Sequence, residues 1–232
     1  MNILAIDTSG PVCGVSVCCD EKVCYEAIAV NKMTHSVSLM PMIEEALTHS
    51  GISMDKIDLF AAVMGPGSFT GVRIGISAVN ALAHAAGKPC IGIDALEAMA
   101  KGNELFDGII CPIQDARAGQ VYGALFEGGT LRRLCDDEPM KIEDFCEKAA
   151  GFGQRMLFMG DGMPVHREKI KSLLGEKAVF APGSNAYLRP SCAALLALQK
   201  ADEAVAYTDL KPLYLRPPQA ERQKNLRETG HE

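Results

Sequence analysis

No block of Lys and Arg runs through this chain, no Cys-x-x-Cys pair occurs in it, and no two of its five histidines stand three to five residues apart. Each absence removes a class of function. Nucleic-acid binding draws most of its affinity from neutralised phosphates. With 23 Lys plus Arg against 29 Asp plus Glu, a net charge of −6, the chain is a poor solo binder of nucleic acid. Metal-dependent hydrolysis needs ligands at a workable spacing, such as two histidines one helical turn apart. His35, His49, His84, His166 and His231 supply none, so no metal site is expected. No apolar run is long enough to span a bilayer, and Met1-Asn2-Ile3-Leu4 enters a strand without a basic signal-peptide start. A cytoplasmic protein with no membrane contact is the expectation. Cys13, Cys18, Cys19 and Cys24 cluster, but within alternating strand patterns, where reduced cysteine acts as a small hydrophobe.

What is present is enough apolar residue, 48% of 232, to build one large core or two small ones. Residues 2–7, 12–19 and 22–30 read as three strands in a meander, followed by a helix at 35–50 with Pro41 near its start. A strand at 58–64, a helix at 70–86, a strand at 90–93 and a helix at 95–101 complete the first half. The second half opens alike, with strands at 109–115, 119–127 and 130–134, helices at 142–150, 164–174 and 190–202, and a strand at 156–159. Both halves begin with a strand ending in Asp (Asp7, Asp115), a turn, and a second strand near Gly14 or Gly119. This weak duplication predicts an α/β fold of two ribonuclease-H-like β-β-β-α-β-α domains, the architecture of actin, sugar kinases and Hsp70 chaperones. The expected domains are 1–102 and 103–216, with the last helix able to pack back on the first domain and 217–232 as a disordered tail.

The densest signal is Val63 to Gly75, a buried strand running through Gly65-Pro66-Gly67 into Ser68, Phe69, Thr70 and an almost wholly small, apolar helix. Ser68 and Thr70 can satisfy orphan amides at the helix start. The glycines mean either a corner that holds an anion or one where strand and helix meet closely. It is not a Walker loop, because Val72 and Arg73 follow Gly71, nor a nucleophile elbow, because Pro66 and Thr70 flank Ser68 at the glycine positions.

Gly65-Pro66-Gly67-Ser68-Phe69-Thr70-Gly71-Val72-Arg73-Ile74-Gly75 resembles the signature of the bacterial TsaB (YeaZ) family. Ile3-Leu4-Ala5-Ile6-Asp7-Thr8-Ser9, Asp115-Ala116-Arg117 with Gln120-Val121-Tyr122, and Pro212-Leu213-Tyr214-Leu215-Arg216 match in the same order. The resemblance spans Asn2 to Arg216 and is thin from Thr130 to Tyr187. It implies a noncatalytic subunit of the machinery that makes threonylcarbamoyladenosine at adenosine 37 of tRNA. The implied partners are the transferase TsaD, met through the N-terminal domain as a helix bundle, and the ATPase TsaE. Contact with tRNA comes only through the complex. TsaD has a metal-binding histidine motif that this chain lacks.

Two sets of candidate residues follow. The face expected to meet the partner, or a second copy in a homodimer when alone, comprises Val37, Met40, Ile43, Leu47, Gly71, Gly75, Ala78 and Leu82. A remnant nucleotide- or anion-binding set comprises Asp7, Thr8, Ser9, Ser68, Thr70 and Arg73; for Asp7 a turn-capping role fits equally. No catalytic residue and no cofactor is expected. The rivals are a small-molecule kinase of the same superfamily, needing two intact phosphate loops, and a glycoprotease-like peptidase, for which no Ser-His-Asp order, Cys-His pair or zinc motif is present.

Overall fold

The computed structural model describes residues 1–30 and 34–216. The expected tail, 217–232, lies outside them. Strands β1 (Asn2–Asp7), β2 (Cys13–Cys19), β3 (Lys22–Ala29), β4 (Leu59–Gly65) and β5 (Cys90–Asp94) form the first sheet, in the order β3-β2-β1-β4-β5. Strands β6 (Ile109–Arg117), β7 (Gln120–Glu127), β8 (Arg133–Lys141), β9 (Met156–Met159) and β10 (Ala178–Phe180) form the second, in the matching order β8-β7-β6-β9-β10. In each sheet the first three strands are antiparallel and the last two join in parallel.

The period-2 alternation of side chains sorts the core into layers. From β1, Leu4 and Ile6 face helices α1 (His35–Ser50) and α2 (Phe69–Ala86), packing with Leu39, Ile43, Val72 and Ile76. Ile3 and Ala5 face the opposite way, into a central cluster that also takes Ile110 and Phe126 of the second sheet. Helices α3 (Ala95–Lys101) and α6 (Pro190–Gln199) fill that centre, lying between the sheets. Ile109, Cys111 and Ile113 point outward to α4 (Ile142–Ala150) and α5 (Gly162–Leu174). Each half's last helix is exchanged: α3 packs on β6 and β7, and α6 on β1 and β2. Glu26 of β3 ties the exchange, accepting from the Ser191 amide at 2.9 Å and from the Arg189 guanidinium.

The differences from the sequence reading fall at sheet edges. The strand expected at 130–134 forms instead at Arg133–Lys141, where Asp136, Asp137, Glu138 and Pro139 mask any apolar alternation. Charges and proline are how an edge strand resists pairing with another chain. Strand β10 was not expected, since three residues cannot show a period. Helix α6 stops at Gln199. Beyond it a strap returns to the first sheet: Val205 pairs with Cys90, Leu210 is buried, and the Leu213 amide donates to the Met64 carbonyl at 2.8 Å.

Candidate functional site: an apolar helix groove beside a blunted cleft

The glycine corner is built as a close contact between β4–α2 and the end of β1. The Ser68 amide donates to the Ser9 carbonyl at 2.6 Å, and the Thr8 hydroxyl donates to the Gly71 carbonyl at 2.7 Å. Ser68 caps α2, its Oγ accepting from the Gly71 amide at 3.2 Å. A Cβ on Gly71 would lie 2.1 Å from the Thr8 carbonyl oxygen, and one on Gly75 2.6 Å from the Thr8 hydroxyl. Only glycine permits this approach. Gly71 and Gly75, read from the sequence as an outward face for a partner, are therefore turned inward onto β1, and Ile43 is buried beneath α1.

The residues of the anion-binding reading divide between two places. Asp7 is buried, and its Oδ1 accepts from both the amide (2.8 Å) and the hydroxyl (2.7 Å) of Ser9. Burial pushes the Asp7 carboxyl up to about 6, against the two Ser9 hydrogen bonds that favour its charge. The Thr8 and Ser9 hydroxyls donate to the scaffold, whereas Ser68 Oγ accepts from the Gly71 amide. Thr70 and Arg73 stand on the far side of the corner, away from Asp7, along a groove between α1 and α2.

Between the halves lies a cleft of about 420 Å³ whose walls include Ser9, Gly67, Asp115, Arg117 and Tyr214. Gln114 and Asp161 reach it too, residues that no sequence signal marked; Gln114 Oε1 is buried without a partner among the described residues. Burial pushes the Asp161 carboxyl up, and Asp115 adds to the rise. The first turn offers Pro11, which has no N–H, and the second offers Ala116-Arg117-Ala118, with Arg117 Nη1 3.9 Å from the Asp115 carboxylate. Two carboxylates, Asp115 and Asp161, and two guanidiniums, Arg117 and Arg216, thus line the cleft together. Among the described residues no group of three His, Cys, Asp or Glu side chains converges to hold a metal ion, and no helix is long and apolar enough to cross a membrane.

The groove is the more open feature. It encloses about 460 Å³ and is walled by Leu39 and Met40 of α1 and by Thr70, Arg73, Ile74, Ser77 and Ala78 of α2, with Ser36 at one end. Val37 and Met40 are 57% and 53% exposed. Leu47, Ala78 and Leu82 are half-buried, packed against the core edge. Of the eight residues expected on this face, Met40 and Ala78 line the groove and Val37 lies exposed beside it; Ile74 and Ser77 belong to it and were missed. Their signal was available, since Thr70, Ile74, Ser77 and Ala81 share one side of an ideal helix.

Two matched five-stranded sheets, with helices outside, exchanged helices between and a cleft at the join, define a fold of the actin and sugar-kinase kind. A ROK hexokinase from Thermus thermophilus shares the fold at a TM-score of 0.53 and 12% identity, over 87% of this chain and all of that one. Nearer is a Pseudomonas aeruginosa structure, described as an uncharacterized protein with similarity to peptidase YEAZ: TM-score 0.79, 25% identity, 93% of this chain and 99% of that one. The family model for TsaD, tRNA N6-adenosine threonylcarbamoyltransferase, matches residues 29–224. The tRNA threonylcarbamoyladenosine biosynthesis protein TsaB of Bacillus subtilis is 34% identical over 223 residues, 95% of this chain and 96% of its own. The chain belongs to the TsaB family.

Proposed function

We propose that this chain is the noncatalytic subunit that binds and activates a TsaD homologue for threonylcarbamoyladenosine modification of adenosine 37 in tRNA. The observation that carries the reading is the α1–α2 groove, an apolar face left open beside the cleft. In support, a family model of the transferase matches residues 29–224, a span that includes α1 and α2; on this reading the transferase presents a like helix pair. Two such pairs, small residues facing one another, can pack as a four-helix bundle. Without that partner the same apolar face favours a homodimer. The ATPase TsaE then docks onto the pair, and tRNA, repelled by a net charge of −6, is met only through the complex. The expected setting is the cytoplasm, and the chain alone is expected neither to hydrolyse ATP nor to make the modified nucleoside.

The test is size exclusion of the purified chain with its organism's TsaD homologue, using wild type, Met40→Asp and Ala78→Arg. Both changes sit on exposed or half-exposed groove positions, so the thermal melt should stay within a few degrees of wild type. Loss of the complex with an intact melt is the expected result. Complex formation by both variants at wild-type affinity would overturn the groove as the docking face.

A further inference from the structure

Arg73 stands where the groove meets the cleft wall, and its surroundings are unusual for an exposed arginine. Its guanidinium carbon lies 3.9 Å from the centre of the Phe69 ring. Its Nε donates to the Tyr214 hydroxyl at 2.7 Å. The Phe69 and Tyr214 rings stack with centroids 4.6 Å apart and planes 26° from parallel. Tyr214 arrives from the strap that Leu213 pins to Met64, so a residue 141 positions away in sequence holds the arginine in place. Among the described residues, no acceptor meets the two terminal nitrogens and no carboxylate pairs with Arg73. It is also the single Arg, Lys, Asp or Glu of α2.

An arginine stacked on a ring and fixed at Nε has already lost the side-chain freedom that ion pairing normally costs. What remains is a planar pair of donors at the lip of an apolar groove. That geometry matches a carboxylate, which accepts two parallel N–H bonds from such a fork, and it matches a lysine partner or a neutral amide poorly. Desolvated arginines at the edge of apolar contacts are frequent sites of concentrated binding energy. We infer that Arg73 is the polar anchor of the groove, forming a bidentate pair with an Asp or Glu on the helix that docks there, and that Phe69 and Tyr214 are positioning residues that hold its fork toward that carboxylate. The inference rests on the docking role proposed for the groove and specifies the chemistry the partner helix must bring: small or apolar residues along one stripe, with one carboxylate at the Thr70–Arg73 end. It also gives the strap a purpose that packing alone does not, since its aromatic ring lies under the anchor.

The test is calorimetric titration of the full chain with the TsaD homologue at low and moderate salt. The variants are Ala78→Arg, Arg73→Met, Arg73→Lys, Tyr214→Phe and the double variant Arg73→Met/Tyr214→Phe, each with a thermal melt. Arg73→Met should weaken binding by about tenfold or more and flatten its salt dependence. Arg73→Lys should recover only part of the loss, because an ammonium cannot make the paired contact. Tyr214→Phe should weaken binding a few-fold in wild type and not at all in the Arg73→Met background, a coupling that a merely structural tyrosine would not show. If Ala78→Arg abolishes binding while Arg73→Met binds as wild type with the same salt slope, the anchor falls and the groove stands. If neither change matters, the groove reading falls and the anchor with it. If Arg73→Met spares the protein complex and instead removes binding of tRNA by the isolated chain, the arginine reads phosphate and the carboxylate assignment is wrong.

Discussion

The two halves share strand order, connection pattern and a strand-to-helix corner, yet their outer helix pairs differ in chemistry. Helix α4 carries Glu143, Asp144, Glu147 and Lys148, and α5 carries Arg167, Glu168, Lys169 and Lys171; Lys169 reaches Glu143 at 3.0 Å. That pair of helices is dressed for water. Helix α2 has Arg73 alone, and between it and α1 the outward positions are Met40, Ile74, Ser77 and Ala78. Equivalent places in one repeated topology have thus diverged into a solvated face and an unpartnered one. The turns after the first strands diverge as well: Asp7 is sealed beneath Ser9, while the Asp115 side chain stays 19% exposed beside Arg117. The fold supplies two copies of each position, and only the residues placed there decide which copy carries charge, which joins the core and which stays apolar at the surface.

The sharpest way to break this comparison is at the glycines of the two corners. A methyl on Gly71 would press into a backbone oxygen at 2.1 Å, whereas one on Gly162 at the start of α5 meets backbone atoms at 3.2 Å. Gly71→Ala should cost at least about 3 kcal/mol, the top of the overpacking range, and lower the melting temperature by roughly 6–12 °C. Gly162→Ala should cost about 1 kcal/mol, since its neighbours need give only a few tenths of an ångström. Equal melts for the two would show that the corners are not packed differently.

A middle-sized effect separates Asp7 from an ordinary surface carboxylate. Its carboxyl is raised to about 6 when folded, against about 3.9 in an unfolded chain. The folded state therefore holds a proton that the unfolded state gives up, and stability falls as pH rises from about 4 to 6, then levels. Asp7→Asn can still accept from Ser9 and removes this cost, which at most amounts to roughly 2–3 kcal/mol. Its melt should exceed that of wild type most above pH 6, with the gap closing toward pH 4. A gap that widens on acidification would mean that the buried carboxylate is stabilised as an anion.

The smallest effect belongs to the solvated pair. Glu143→Ala and Lys169→Ala break an exposed, solvent-screened ion pair, so each should leave the thermal melt close to wild type and association with the TsaD homologue untouched. Reduced association would move the docking face to the second half.

Much of this molecule was open to reading from its residues one after another. Wherever a stripe or an alternation runs for five residues or more, as in β1, α1, α2 and α4, the strands and helices lie within one or two residues of where periodicity puts them. The duplication was visible for the same reason, because both halves repeat a local pattern. The second sheet's edge strands, β8 and β10, escaped, one masked by charges and proline and the other only three residues long, whereas the first sheet's, β3 and β5, lie within a residue of the expected bounds.

The site was legible in part. The segment Gly65–Gly75 announced itself as special, but composition could not say which side of it faces inward. Gly71 and Gly75 belong inward because Thr8, brought up by β1 from 63 residues away, occupies the space a side chain would need. Arg73 looked like a candidate for phosphate in the sequence. Its place on α2 sets it along the groove, and Tyr214, crossing back along the first sheet, holds its Nε there. Local periodicity determined the elements and the repeat, and composition the net charge of −6. The facing of the glycine stripe, the sealing of Asp7 and the setting of Arg73 depended on contacts between residues far apart in the chain, and those exist only once the sheets, the exchanged helices and the strap have closed on one another.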